Sequence, residues 1–114
     1  MSEPSDTALR TRIETALRTA MKAREKVPIS TLRTLLSALD NAGAVSQEGA
    51  PSSVTGLSAD VPRRELTRAD ALVLLHAEAD ERRVALAMYE EHGRTEEAGR
   101  LRAEIQTIES FLED

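Results

Sequence analysis

The chain has no cysteine and no tryptophan, and its only aromatic side chains are those of Tyr89 and Phe111. Without cysteine, neither a disulfide framework nor a thiolate metal site can form. With so few rings, leucine, isoleucine, valine, methionine and alanine must fill the core, which favours helices packed on helices over a sheet. The length of 114 residues indicates a single domain.

Long hydrophobic runs are also missing. The longest apolar runs, such as residues 71–75, are far shorter than the roughly 20 residues that span a bilayer. The opening Met-Ser-Glu-Pro-Ser-Asp lacks the basic segment and apolar run of a secretory signal. We therefore expect a soluble cytoplasmic protein that does not insert into a membrane.

No pattern of catalytic residues occurs either. The five glycines are scattered, so there is no glycine-rich phosphate loop, and no Gly-x-Ser-x-Gly elbow is present. His76 and Asp80 have the spacing of two ligands on one helical face, but no further ligands are indicated, so we interpret them as a surface pair. His92, before Gly93, is interpreted as a residue that ends a helix. We expect no enzyme activity, no metal, no cofactor and no small-molecule substrate.

The net charge of −5 is unevenly distributed along the chain. Residues 1–45 carry seven lysines and arginines against five acidic residues, whereas residues 66–114 carry six against twelve. This balance argues against an indiscriminate nucleic-acid binder, because such proteins draw their affinity from phosphate neutralisation. A basic face on the first predicted helix is interpreted as a solvated surface, with a ligand-binding patch as the alternative; it comprises Arg10, Arg12, Arg18, Lys22 and Arg24.

Residues 67–112 form the most regular part of the chain. Two apolar sets recur there at alternating spacings of three and four, which keeps one stripe of each helix facing its neighbour. The spacing predicts two antiparallel helices joined at Gly93, with Thr67 and Thr95 as N-caps and Arg82 as the one polar residue within the first stripe. The first set is Leu72, Leu75, Ala79, Leu86 and Tyr89; the second is Ala98, Leu101, Ile105, Ile108 and Leu112.

The N-terminal half predicts a second helical hairpin. Residues 1–5 read as a frayed start, followed by a helix capped by Ser5 or Asp6 and a further helix from about Pro28 to Asn41. Residues 46–65, rich in Gly, Pro and Ser, predict a flexible loop. The expected fold is therefore an all-α, small antiparallel four-helix bundle over residues 6–112, built from two helical hairpins.

The arginines supply the only candidate binding residues. Arg82 and Arg83 precede Tyr89 by about two turns, and Arg94 follows the turn glycine, Gly93. Glu78 lies four residues before Arg82, which predicts an ion pair along the helix. The alternatives for this set are structural roles, such as pairing with acids and bonding helix-end carbonyls, or contact with RNA phosphates. Arg33 flanks the apolar face of the second helix; we interpret it as a side chain that packs its stem and leaves its head in water.

These segments resemble the GatB/YqeY family. The likeness lies in Met21-Lys22-Ala23-Arg24-Glu25-Lys26, in Leu32-Arg33-x-Leu35-Leu36-x-Ala38-x-x-Asn41, in Leu66-Thr67-x-x-x-Ala71-Leu72, in Arg82-Arg83 with Tyr89 and Gly93-Arg94, and in Glu104-Ile105-x-x-Ile108-x-x-Phe111-Leu112. The resemblance implies an all-helical module related to the tail of the GatB subunit of Glu-tRNA(Gln)/Asp-tRNA(Asn) amidotransferase, which engages tRNA. It implies tRNA or a tRNA-handling protein as partner, with Arg33, Arg82, Arg83 and Arg94 as the binding residues.

Two other functions are alternatives to that one. The acidic C-terminal half and an apolar surface at Phe111 and Leu112 would suit a protein-interaction module that self-associates or docks on a helical partner. Amide transfer, with which the family is associated, would need an ATP site and an ammonia source, and the sequence has a motif for neither.

Overall fold

The computed structural model of the chain describes residues 3–45 and 66–113. In that part, four α-helices follow one another: α1 (Thr7–Ala23), α2 (Lys26–Val45), α3 (Arg68–Glu91) and α4 (Thr95–Glu109). The described ranges contain no β-strand, only one isolated bridge between Ser5 and Thr67. The predicted all-α four-helix bundle is confirmed, and the predicted loop at 46–65 lies outside the described residues.

The ends of α3 follow the sequence signals closely. The backbone N–H of Asp70 donates to the Thr67 hydroxyl over 3.0 Å, which satisfies one of the free amides of the first turn. At the other end, Gly93 adopts a left-handed φ of 69°, and the Arg94 N–H donates to the carbonyl of Tyr89 over 2.8 Å. A glycine suits this place because it has no Cβ to clash in that conformation.

Other helix ends differ from the predictions. α2 begins at Lys26, two residues before Pro28, and continues to Val45. Pro28 is tolerated there because the amides of a helix's first turn have no partner within the helix. α4 is preceded by Arg94 as its N-cap, without a side-chain capping bond, so the prediction of Thr95 as the cap is wrong.

The turn between α1 and α2 is made by a residue that the sequence did not mark. Arg24 takes the left-handed conformation, with φ 57° and ψ 40°, and ends α1 as its C-cap. The N–H of Glu25 then donates to the carbonyl of Ala20 over 3.0 Å. Such a φ is uncommon for a residue with a Cβ, so this turn carries backbone strain.

The four helices alternate in direction. The start of α1 lies near the end of α2, where Arg10 Nη1 donates to Asp40 Oδ1 over 2.7 Å. It also lies near the end of α4, where Arg12 Nη2 donates to the carbonyl of Ser110 over 3.3 Å. α1 packs on α2 and α3 on α4, while α2 also contacts both helices of the second hairpin.

The core lies between the two hairpins. Ile13 from α1, Leu35 from α2, Leu75 from α3 and Ile108 from α4 are all completely buried. They belong to one hydrophobic cluster, which also contains Phe111. Leu86 and Ile105 of the predicted stripes lie outside this cluster, nearer the turn of the second hairpin. Apolar area removed from water in this cluster drives the association of the hairpins.

The chain before α1 is tied to the start of α3. The Asp6 N–H donates to the carbonyl of Leu66 over 3.0 Å, and the Arg68 N–H donates to the carbonyl of Pro4 over 2.9 Å. The expectation of a frayed start therefore does not describe Pro4, whose carbonyl accepts from Arg68, or Ser5, which forms the isolated bridge with Thr67. None of the described helices has the length and hydropathy that crossing a membrane would require.

Candidate functional site

Arg82 joins α3 to α4. Its Nη1 donates to Glu78 Oε1 over 2.8 Å, as the spacing predicted, and its Nε donates to Glu104 Oε1 over the same distance. The side chain is 15 % exposed, so this cluster lies half-buried in the seam of the hairpin. Burial alone would lower the pKa of Arg82, but the bonds to the two carboxylates outweigh it and the pKa is raised.

Arg83, its neighbour in sequence, makes a separate set of contacts. It donates to Asp80 Oδ1 over 2.7 Å and to Glu109 Oε2 over 2.5 Å. The hydrogen bond to Glu109 is the main cause of the raised pKa of Arg83. Its side chain is 43 % exposed, so water screens these pairs far more than those of Arg82.

Arg94 lies at the turn of the hairpin. Its Nη2 donates to Glu97 Oε2 over 2.6 Å, and its guanidinium lies 5.9 Å from the centroid of the Tyr89 ring. The nearby His92 ring places Nδ1 2.8 Å from the carbonyl of Met88, so the tautomer protonated there caps the end of α3. The predicted role of His92 as a helix-ending residue is thus confirmed.

Arg33 lies on α2, whereas the other three candidates lie on α3 and in the turn that follows it. The Arg33 side chain is exposed and makes no ion pair within the described part of the chain. Arg94 is separated from Arg83 by more than two turns of α3, about 12 Å along the helix. Arg82, Arg83 and Arg94 each pair with different carboxylates, so the described contacts do not join the candidate arginines into one cluster.

His76 and Asp80, which the spacing placed on one face of α3, are both exposed. Asp80 accepts from Arg83 and no bond joins it to the exposed His76, so the predicted His76–Asp80 pair is wrong. No group of three or more potential metal ligands occurs among residues 3–45 and 66–113.

The predicted apolar surface at the C-terminus is also absent. Phe111 is 6 % exposed and belongs to the core cluster, and Leu112 packs against that cluster. Arg12 covers the ring of Phe111, with its guanidinium carbon 5.4 Å from the ring centroid. Since the ring is covered by α1, this end of the chain does not present the patch that a partner would need.

Exposed apolar residues lie instead on the side of α3 that faces away from the core. Val73 is 66 %, Val84 65 % and Met88 58 % exposed. Together with the exposed Ala77, they follow spacings of four, seven and four, and we call these four residues the outer stripe. The sequence carries the signal as a second apolar set on the same helix, offset from the core set, and the predicted core stripe did not include it.

These features define an all-α helical module with ion-paired arginines along one hairpin and an apolar stripe on its outside. A family model described as Yqey-like protein matches residues 10–114, nearly the whole chain. The chain belongs to the Yqey-like protein family. Comparison with curated proteins finds no match.

Proposed function

We propose that this protein is a non-catalytic binding module that docks on a protein partner engaged in tRNA handling. The link to tRNA handling comes from the resemblance of its segments to the GatB/YqeY family. The observation that carries the choice of a protein partner is the pairing of Arg82, Arg83 and Arg94 with carboxylates of the same chain.

The ion pairs of these arginines make phosphate binding by them less favourable. A phosphate would have to displace Glu78 and Glu104 from Arg82, leaving Glu78 half-buried without its cation and Glu104 with only the longer contact to Arg100, at 3.9 Å. Arg83 and Arg94 are more exposed and exchange partners more easily, but a phosphate there would still approach the acidic residues that neutralise them. The arginine set therefore supports a structural role better than a phosphate-binding one.

The exposed face of α3 favours a protein partner. Val73, Val84 and Met88 leave apolar side chains in water along one helix, and contiguous exposed apolar surface is typical of interaction sites. Helix-in-groove and helix-on-helix contacts use residues at this spacing as anchors.

The test is a binding assay with purified components. The protein would be mixed with the purified subunits of a tRNA-dependent amidotransferase and with aminoacyl-tRNA synthetases, each with and without tRNA, and studied by analytical ultracentrifugation. We expect a complex with at least one of these proteins that forms without tRNA. Complexes that form only with tRNA, or with tRNA alone, would overturn the proposal.

Direct contact with tRNA is the second candidate, because the α1–α2 turn carries cations without acidic partners. Lys22, Arg24 and Lys26 are exposed there, and none forms an ion pair within the described residues. A gel-shift titration with tRNA at physiological salt tests it. A Lys22→Glu/Lys26→Glu variant that loses binding, beside an Arg83→Ala variant that keeps it, would favour this candidate.

A further inference from the structure

The outer stripe runs along most of α3. At about 100° per residue, Val73, Ala77, Val84 and Met88 fall within an arc of roughly 60°. From Val73 to Met88 the stripe is about 22 Å long, the length of four helical turns. The stripe faces away from the core, because the completely buried residues of the same helix lie on its other side; these are Ala71, Leu75 and Ala79.

Acidic residues accompany the stripe. Asp80 and Glu81 lie in the gap between Ala77 and Val84, and both are exposed. Asp70 lies beyond one end of the stripe and Glu91 beyond the other, again exposed. Arg83 is the only cation beside the stripe among the described α3 residues, and it is already paired with Asp80 and Glu109.

From this arrangement we infer that the outer stripe docks a basic amphipathic helix of a partner protein. Such a helix would lay its apolar face on Val73, Val84 and Met88 and place lysines or arginines opposite Glu81 and Glu91. The inference rests on the proposed function for the partner being a protein, and it adds the surface and the chemistry of the partner segment.

The negative charge beside the outer stripe disfavours a second copy of this chain, RNA and anionic lipid as binding partners. A second copy of this chain would bring the same acidic residues face to face across a two-fold axis, and like charges opposed in an interface are unfavourable. RNA phosphates and anionic lipid headgroups would meet Glu81 and Glu91 and be repelled. A helix with cations beside its apolar face is complementary in both hydrophobicity and charge.

The probe is a synthetic amphipathic peptide of roughly 18 residues, long enough to form a stable helix on the surface. One version carries leucine on one face with lysine and arginine beside it, and a matched version carries glutamate at the cationic positions. Binding would be measured by isothermal titration calorimetry at physiological ionic strength. Amide chemical-shift changes in the ¹⁵N-labelled protein would map the site.

We expect the basic peptide to bind with shifts along α3 and the acidic peptide not to bind. The Val84→Ser/Met88→Ser variant should weaken binding about tenfold or more, because it removes two of the three large apolar anchors of the outer stripe. Glu81→Lys/Glu91→Lys should weaken it and reduce its salt dependence. The matched control is Met21→Ser, an exposed methionine on α1 at 46 % exposure, which should leave the affinity unchanged.

The inference is wrong if the basic peptide does not bind, if both peptides bind equally, or if Met21→Ser weakens binding as much as Val84→Ser/Met88→Ser. Circular dichroism shows whether each variant keeps its helices, which is expected because the altered side chains are mostly in water.

The failure of the docking surface and the failure of the proposed function give different results. If a tRNA-handling protein binds the Val84→Ser/Met88→Ser variant as tightly as the original chain, the surface is wrong and the function stands. If the basic peptide binds the outer stripe but no tRNA-handling protein binds the chain, the docking surface stands and the proposed function is wrong.

Discussion

Arg82 of α3 donates from Nε to Glu104 of α4 over 2.8 Å, and the same guanidinium holds Glu78 one turn earlier in its own helix. The bond crosses the hairpin where Arg82 interrupts an otherwise apolar stripe. A charged group there is stable because two carboxylates and the carbonyl of Glu78 supply its acceptors. This relationship makes Arg82 a structural residue of the hairpin, and it separates Arg82 from the more exposed Arg83.

Removal of Arg82 should destabilise the protein strongly. Arg82→Ala leaves Glu78 half-buried without its cation and Glu104 with only the 3.9 Å contact to Arg100, and we expect a loss of about 2 kcal/mol in the free energy of unfolding. Urea unfolding followed by circular dichroism measures it. Arg83→Ala, which breaks only exposed pairs, is the control and should have a much smaller effect. Equal losses for the two variants would contradict the structural role of Arg82.

The same cluster should show energetic coupling. In a double-mutant cycle with Arg82→Ala and Glu104→Gln, the two changes remove one contact, so the double variant should be less destabilised than the sum of the single ones. Additive losses would show that the bond across the hairpin contributes little to stability.

Replacing the left-handed residue at the end of α1 by glycine should stabilise the protein. Arg24 has a φ of 57°, where a Cβ is unfavourable, so Arg24→Gly should raise the free energy of unfolding by about 1 kcal/mol. The control is Lys22→Gly, inside the last turn of α1, which should lower it by about the same amount. Thermal unfolding of both variants measures these changes. If Arg24→Gly destabilises the protein, the claim that Arg24 is strained is wrong.

Two glycines of the second hairpin should respond in opposite ways to alanine. Gly93 has a φ of 69°, so Gly93→Ala should destabilise by about 1 kcal/mol. Gly99 lies within α4 with no atom within 4 Å of a Cβ placed on it, so Gly99→Ala should stabilise by about 0.5–1 kcal/mol. Urea unfolding of the two variants should give changes of opposite sign, and changes of the same sign would be incompatible with the described turn.

Glu97 should make stability depend on pH. Its own backbone N–H, and then Arg94, bond the carboxylate and lower its pKa from the ordinary value of 4.5. A lowered folded-state pKa stabilises the protein above the unfolded-state value, and this contribution is lost as the pH falls through the folded-state pKa. Glu97→Gln should therefore lower the melting temperature at neutral pH and have less effect in acid. Glu113→Gln, at an exposed residue beyond α4, is the control, and a Glu97→Gln effect that persists unchanged in acid would rule out this origin.

The register of the core could be predicted from the sequence because it depends on local periodicity. The spacing of Leu72, Leu75 and Ala79 along one helix places Leu75 and Ala79 on a common buried face whatever the partner is. The cap at Thr67 and the turn at Gly93 could be predicted for the same reason, since both depend on residues only a few positions apart.

The roles of the arginines could not be predicted in this way. Arg82 meets Glu104 and Arg83 meets Glu109 only because the hairpin closes with a particular register, and nothing within one helix encodes it. Arg24 adopts its left-handed conformation because α2 must turn back onto α1, and the residue type itself did not indicate it.

The amino-acid sequence alone determined the four helices, their buried faces and both ends of α3, because these follow from backbone geometry and the repeat of apolar residues along each segment. Only the tertiary structure decided which charges neutralise one another and which apolar residues of α3 stay in water. Pairing between helices and exposure depend on neighbours distant in sequence, and both are set when the two hairpins pack together.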